Sequence, residues 1–310
     1  MALTFHATRC AICDTEGNAT EIYRANFELA AFNPEVFSAR RLPDRIHYRM
    51  VRCNTCGLLR SDPIADTTTI ARLYQDSRFD YGREVENLAS TYGDYLERLD
   101  RHGTSKDSIL EIGCGNGFFL KKAREQGWRQ VIGVEPSRAA VEEASPEIRS
   151  RIICAMMQSH LFPDHSFDAI CLFQVLDHIL DPASLLKECF QILKPGGLIL
   201  CVNHNVDALS SKLMKERSPI VDIEHSYLYS QITIKLLFQR FGFEVKETGG
   251  VTNRYSLSYL AHLAPVPTNL KQHILVLLDT IGLGRVPLRI SLGNLYMIAQ
   301  KPSAFVEPLS

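Results

Sequence analysis

Four cysteines near the start of the chain, in Cys10-Ala11-Ile12-Cys13 and Cys53-Asn54-Thr55-Cys56-Gly57, present two thiolate pairs, each on a tight turn. Four soft ligands close a tetrahedral zinc site, and closed sites of this kind are structural. The 39 residues between Cys13 and Cys53 exceed compact ribbon spacing, so the segment between must loop out and return. The competing use, a redox pair, wants a C-x-x-C between a strand and a helix, and neither pair has that setting. A second chemistry sits at 109–117, I-L-E-I-G-C-G-N-G, where Gly113, Gly115 and Gly117 follow an apolar, β-branched run and precede a helical pattern. Strand, glycine turn and helix let the backbone close on a nucleotide-like ligand. Phe118 stands where a G-x-G-x-x-G fingerprint would want glycine, so pyrophosphate on the helix N-terminus fits poorly. A third candidate is His178, in S-F-D-A-I-C-L-F-Q-V-L-D-H-I. An imidazole at a strand's carboxyl end either accepts a proton from substrate at neutral pH or holds its loop by hydrogen bonds.

These groups need a scaffold, and the chain supplies one by alternation. Apolar stretches at 108–112, 130–135, 150–154, 167–173, 197–203 and 243–248 alternate with helical patterns at 117–126, 137–145, 182–193 and 230–241. That rhythm implies an α/β fold with a parallel, doubly wound sheet, its ligands at the carboxyl ends of the strands. One more strand-like run, N-L-Y-M-I-A-Q-K at 294–301, comes last. Residues 64–107 are mostly polar, with Leu88, Tyr92, Tyr95, Leu96 and Leu99 at helical spacing. Tyr74, Phe79, Tyr81 and Tyr92 serve either core or ligand, and the D-Y-G run at Tyr81-Gly82 suggests a ligand-facing loop. The segments 254–263 and 269–281 both read as helices and are expected to cap the crevice, with Arg254, Tyr255, Tyr259 and His262 toward substrate.

The composition is that of a folded globular protein: 310 residues, 45% hydrophobic and 22% charged. A net charge of −1 is no basic footprint for nucleic acid. No uncharged apolar run reaches the roughly 18–20 residues that span a bilayer, and no basic-then-apolar signal opens the chain, so a cytoplasmic protein is expected. In that reducing setting Cys114, Cys154, Cys171, Cys189 and Cys201, scattered among apolar residues, read as small buried hydrophobes.

The E-x-G-x-G-x-G pattern, with Glu111 two residues before the first glycine, resembles motif I of the class I methyltransferases that bind S-adenosylmethionine (AdoMet). So do S-F-D before strand four, V-L-D-H-I after it and L-K-P-G-G-L-I-L at 193–200, where Pro195-Gly196-Gly197 reads as a turn into strand five. The resemblance implies a Rossmann-like, seven-stranded, mostly parallel sheet with helices on both faces and an antiparallel last strand. It implies AdoMet held at Glu111, Gly113, Cys114, Gly115, Asn116 and Gly117, where the amides of Cys114 and Asn116 count for more than their side chains. Glu135, in V-I-G-V-E-P-S, is placed to accept both ribose hydroxyls, or else to cap the next helix. Pro136, which breaks the strand there, is counted with Glu135 among the cofactor contacts. No carboxylate follows strand three to meet adenine, so Met156 and Met157 would pack the ring, with Phe173 completing the contacts.

The segment Y-R-M-V-R-C-N-T-C-G-L-L-R-S-D-P at 48–63 resembles the zinc-binding segment of a set of bacterial enzymes that includes sugar C-methyltransferases. In those enzymes a Tyr-x-Glu-His run serves acid–base chemistry; here Glu224 and His225 match, while Asp222 stands in place of Tyr. The organisation so implied is a zinc-binding lobe at 1–63, a helical linker and lid at 64–107, and an AdoMet-binding core at 108–310 carrying the insert 250–293. The expected activity is methyl transfer to a small or medium polar acceptor, a sugar, nucleotide-sugar or glycan intermediate, with His178, Glu224 and His225 as catalytic candidates. Two alternatives stand beside it: an RNA methyltransferase reading RNA through the zinc lobe, against which the balanced charge speaks, and a non-catalytic binding or scaffold protein.

Overall fold

A computed structural model describes residues 4–28, 46–77, 84–263 and 266–303. Phe79, Tyr81 and Gly82 lie outside the described residues. The N-terminal part is a set of short strands: β1 (Phe5–His6), β2 (Ala19–Tyr23), β3 (Met50–Cys53), β4 (Leu59–Ser61) and β5 (Ile64–Ala65). β1 pairs antiparallel with β5, and β2, β3 and β4 form an antiparallel sheet. Asp66 caps α1 (Thr67–Gln75) by accepting the Thr69 N–H. α2 (Val85–Leu96) follows, and a 3₁₀ turn at Glu97–His102 ends on left-handed Gly103.

The core then runs β6 (Ser108–Ile112), α3 (Phe118–Glu125), β7 (Gln130–Val134), α4 (Arg138–Glu142), α5 (Pro146–Arg149), β8 (Ile152–Ile153) and β9 (Phe167–Phe173). It continues through α6 (Pro182–Ile192), β10 (Leu193–His204), α7 (Leu209–Met214), β11 (Tyr227–Leu228), α8 (Gln231–Arg240) and β12 (Glu244–Gly250). The insert holds β13 (Asn253–Ser256), α9 (Leu257–Leu263), α10 (Thr268–Thr280) and β14 (Pro287–Ile290), before β15 (Asn294–Gln300) closes the chain.

The main sheet has seven strands in the order β12-β15-β10-β9-β6-β7-β8. Pairing is parallel from β10 to β8, and β15 inserts antiparallel between β10 and β12. The alternation led to a parallel, doubly wound sheet and the methyltransferase resemblance to its Rossmann-like, seven-stranded form, and both are met. Side chains of a strand point to opposite faces in turn. Leu110, Ile112, Ile170 and Leu172 therefore pack with Leu186, Ile192, Leu237 and Phe238 of α6 and α8. Ile109, Ala169 and Cys171 pack on the other face with Tyr92 and Leu96 of α2 and Phe119 and Leu120 of α3. The S-F-D motif has a structural job: Asp168 accepts from the Ser108 amide and hydroxyl and from Lys194 Nζ at 2.7–2.9 Å, clasping the starts of β6, β9 and β10.

Three expectations need correction. Cys114, Cys171, Cys189 and Cys201 are buried, but Cys154 is exposed. The turn expected at Pro195-Gly196-Gly197 is an irregularity inside a longer β10, where the register with β9 shifts between Leu193 and Leu198. The helix expected from residue 254 starts only at Leu257, because Ser256 acts as its cap, its hydroxyl accepting the Tyr259 N–H at 3.1 Å. Residues 253–256 instead pair antiparallel with β14.

One strand crosses from the core to the N-terminal part. β11 pairs antiparallel with β4, making the small sheet β11-β4-β3-β2. The Ser61 hydroxyl donates to the His225 carbonyl and the Tyr227 hydroxyl to the Arg9 carbonyl, so the cysteine-bearing strands abut the loop holding Glu224 and His225. Among the described residues no helix is long and apolar enough to cross a membrane.

Candidate functional site

At the carboxyl ends of β6, β7, β9 and β10 lies a cleft of about 1190 Å³. Its donor end is built on the glycine turn. Gly113 (φ 72°) and Gly117 (φ 73°) occupy the left-handed region, and a Cβ would come within 2.5 Å of Val175 at Gly113 and within 2.3 Å of Ile148 at Gly117. Only glycine satisfies both backbone and packing there. Gly113 and Gly115 line the cleft with Glu135, Pro136, Met156 and Phe173. Glu111, Cys114, Asn116 and Gly117 are not among its lining residues. Cys114 is buried in the core, and the Asn116 side chain accepts from the Phe118 amide at 3.3 Å, closing the turn into α3.

Glu135 is 9% exposed and accepts the Gly115 N–H on Oε2 and the Ser137 N–H on Oε1, both at 2.8 Å. Burial pushes its carboxyl above the usual range, and the two amides pull back. A carboxylate has about four lone-pair sites, so two stay available for ligand hydroxyls. Capping of α4 falls to Ser137, which accepts the Ala140 N–H. The walls come from α1 and α2: Tyr74, Ser77, Leu88 and Tyr92 line the cleft. Tyr92 stacks on Phe173 with centroids 4.1 Å apart and planes 4° off parallel, fixing the edge where β9 meets α2. Gln158 lines the cleft beside Met156 and Met157 and offers an amide where no carboxylate exists.

Glu111 lies beneath the turn, 2% exposed, and its Oε2 has no hydrogen-bond partner among the described residues. Burial, then the nearby Glu135, raises its carboxyl well above the ordinary range. The sign follows: an acid raised in the fold stabilises it only while protonated, and this contribution is lost as pH rises through the folded value. The ligand-free protein is expected to lose thermal stability as pH rises above the ordinary carboxylate range, and Glu111→Gln is expected to flatten that slope. Calorimetric melting across this range checks it; a variant with an unchanged slope would clear Glu111.

The acceptor end is a knot of imidazoles around Asp177, which is 1% exposed. His204 Nδ1 donates to Asp177 Oδ2 at 2.6 Å. His178 Nε2 lies 3.8 Å from Oδ1 and His225 Nε2 4.0 Å from Oδ2. The His225 ring centroid is 4.7 Å from that of His178 and 4.8 Å from that of His204. His225 Nδ1 donates to the Ile220 carbonyl at 2.8 Å, and His178 Nδ1 meets the Tyr74 hydroxyl at 3.0 Å. Burial alone would raise the Asp177 carboxyl, but the His204 hydrogen bond and the surrounding rings hold it far below the usual range. Burial pushes His178 down to about 3, against the pull of Asp177, and lowers His225 as well. Glu224 and Asp222 line the same end.

The structure thus brings His178, Glu224 and His225 together. It adds His204, to which the sequence reading assigned no role; the only available signal was a polar N-H-N at the carboxyl end of an apolar strand. Tyr255, Tyr259 and His262 face the cleft from the insert. Arg254 does not: it forms a two-pronged ion pair with Asp94 of α2, at 2.8–3.2 Å, and ties the insert down.

Away from the cleft, Cys10 and Cys13 stand on the turn before β2, and Cys53 and Cys56 flank the turn after β3. Cys10 Sγ is 3.4 Å from Cys56 Sγ and Cys53 Sγ 3.9 Å from Cys13 Sγ, all four within 4.8 Å. Sulfurs about 2.3 Å from one zinc ion stand about 3.8 Å apart in a tetrahedron, so the donor set fits. Burial disfavours the Cys53 thiolate, yet the Cys56 and Thr55 amides outweigh it and bring the thiol down to about 6.

Sheet order, antiparallel last strand, glycine turn and acidic residue at the second strand's end together define the class I methyltransferase architecture. Residues 81–248, more than half of the chain, match the family described as methyltransferase domain, and the chain belongs to that family. It is 30% identical over 165 residues to a probable S-adenosylmethionine-dependent methyltransferase of Mycolicibacterium smegmatis, covering 53% of this chain and 62% of that one. It is 29% identical over 118 residues to the ubiquinone biosynthesis O-methyltransferase of Pseudomonas fluorescens, covering 35% and 50%. The chain spans about half to three fifths of the length of these curated relatives. A SAM-dependent methyltransferase of Archaeoglobus fulgidus superposes with a TM-score of 0.47 at 20% identity, over 69% of this chain and 94% of that one.

Proposed function

We propose that the protein transfers the methyl group of AdoMet to a small or medium polar acceptor held beneath the insert, a sugar, nucleotide-sugar or related intermediate. The observation that carries this reading is the two-ended cleft: glycine turn and Glu135 at one end, the Asp177 imidazole cluster at the other. Its volume exceeds the roughly 300–1,000 Å³ of a single drug-sized site, which leaves room for donor and acceptor together.

AdoMet supplies an activated methyl on a sulfonium. The chain's task is alignment, which brings most of the rate in a direct displacement. Glu135 and the Gly113 and Gly115 backbone seat the donor; Met156, Met157 and Gln158 flank the adenine. The acceptor's proton passes to the imidazole cluster. His178 and His225 are the candidates carried over from the sequence, and His204, its Nδ1–H fixed by Asp177, offers an Nε2 without a partner among the described residues. His204→Asn is expected to lower turnover about 10²–10⁴-fold with AdoMet affinity unchanged, measured by calorimetry and initial rates. Full turnover in this variant would transfer the role to its neighbours.

The four cysteines are proposed to hold one structural zinc ion. The whole reading is tested by AdoMet calorimetry, then by turnover against nucleotide-sugars, phenols and quinols, and RNA. Absence of AdoMet binding sinks it. Turnover on RNA with steep salt dependence would replace the acceptor class.

A further inference from the structure

The acceptor end carries a second group of metal-type donors besides the cysteines. Asp177, His178 and His225 each place one ligand atom within 4.8 Å of the others, the same span that encloses the four cysteine sulfurs. We infer that Asp177 Oδ1, His178 Nε2 and His225 Nε2 form a binding site for one divalent transition-metal ion at the floor of the cleft.

Three observations converge on this. First, Asp177 is almost wholly buried, yet its Oδ1 has no hydrogen-bond partner among the described residues. A buried carboxylate oxygen without a donor needs a cation or a proton, and Oδ1 stands 3.8 Å from His178 Nε2. Second, every ligand is braced from behind. The Ile220 carbonyl takes the His225 Nδ1–H, which leaves the lone pair on Nε2. The Tyr74 hydroxyl meets His178 Nδ1, and His204 donates to Asp177 Oδ2. Metal-binding histidines and carboxylates are held in this way by outer partners that set tautomer and ring orientation. Third, the ligand set is two imidazoles and one carboxylate on one side of an open cleft. That set suits Zn²⁺, Fe²⁺ or Co²⁺ and leaves positions free for a substrate oxygen.

Ligand atoms about 2.0–2.2 Å from a common ion stand roughly 3–3.5 Å apart, so the two rings turn inward slightly on binding. An ion here would hold the acceptor oxygen and ease loss of its proton to His204. This role rests on the methyl-transfer reading; ion binding itself does not.

The test uses the full chain with zinc in the cysteine site, titrated anaerobically with Co²⁺ and followed by visible spectroscopy and calorimetry. One Co²⁺ per chain is expected, with ligand-field bands and no sulfur-to-cobalt charge transfer. His178→Ala and His225→Ala should each weaken it by about tenfold or more, and Tyr74→Phe by about tenfold, while His262→Ala in the same cleft changes nothing. AdoMet calorimetry on each variant reports that it is folded. Absence of nitrogen- and oxygen-bound cobalt, or equal binding in the folded His178 and His225 variants, overturns the inference. AdoMet binding without cobalt binding would leave the methyl-transfer reading standing; cobalt binding without AdoMet binding would do the reverse.

Discussion

Glu135→Ala is expected to weaken AdoMet binding by about 100-fold or more. Hydrogen bonds from hydroxyls to a charged acceptor are worth roughly 1.5–3 kcal/mol each, and the ribose offers two. About 3 kcal/mol corresponds to a little over two powers of ten. The same substitution strands the Gly115 and Ser137 amides that the carboxylate satisfies, so the ligand-free protein should also lose about 1–3 kcal/mol. Glu135→Gln is no rescue, since its NH₂ meets one amide donor to donor. Calorimetry with AdoMet and thermal melting of the ligand-free variants separate the two effects. Wild-type affinity in Glu135→Ala would reduce this residue to a brace for the turn.

Cys53→Ser is expected to abolish zinc binding at the cysteine site and to destabilise the cysteine-bearing strands by on the order of 4–5 kcal/mol. Cys53 ends β3, and the turn after it is held by the Cys53 N–H to the Leu58 carbonyl at 2.9 Å and by Gly57 N–H back to the Cys53 carbonyl at 3.0 Å. Zinc loss frees that turn, loosens β4, and through β11 reaches the His225 loop. Turnover should therefore fall although no cysteine of the four lines the cleft. Metal analysis, hydrogen exchange over β2–β4 and initial rates decide the matter. A variant that keeps its zinc and its melting temperature would dismiss the site.

The sheet was legible because its signal is redundant. The central strands β6, β9, β10 and β15 carry apolar runs, and Ser137, Asp181 and Ser230 each cap a helix by side-chain acceptance. The glycine turn was legible for the same reason: backbone, packing and neighbouring acid demand one residue type in each place. Two short strands outside the main sheet were not. β11 and β13 have two and four residues, too few for a period, and both exist because a partner strand distant in sequence satisfies their backbone. Arg254 was read as facing substrate because a sequence does not show Asp94 waiting on another element. His204 went unassigned since a single histidine after a strand says nothing until Asp177 is seen beside it. The cysteine quartet shows the opposite case, where identity and spacing speak for themselves although the two halves lie far apart.

The pairing of β4 with β11 also imposes an order on biosynthesis. All four cysteines and β4 emerge from the ribosome well before Tyr227, and at about 5–20 residues per second the delay is roughly 10–30 s. Metal can be captured in that interval, but the free edge of β4 has no strand to meet and is open to pairing with other nascent chains. A shortage of zinc during synthesis would thus show itself first as aggregated product rather than as inactive enzyme.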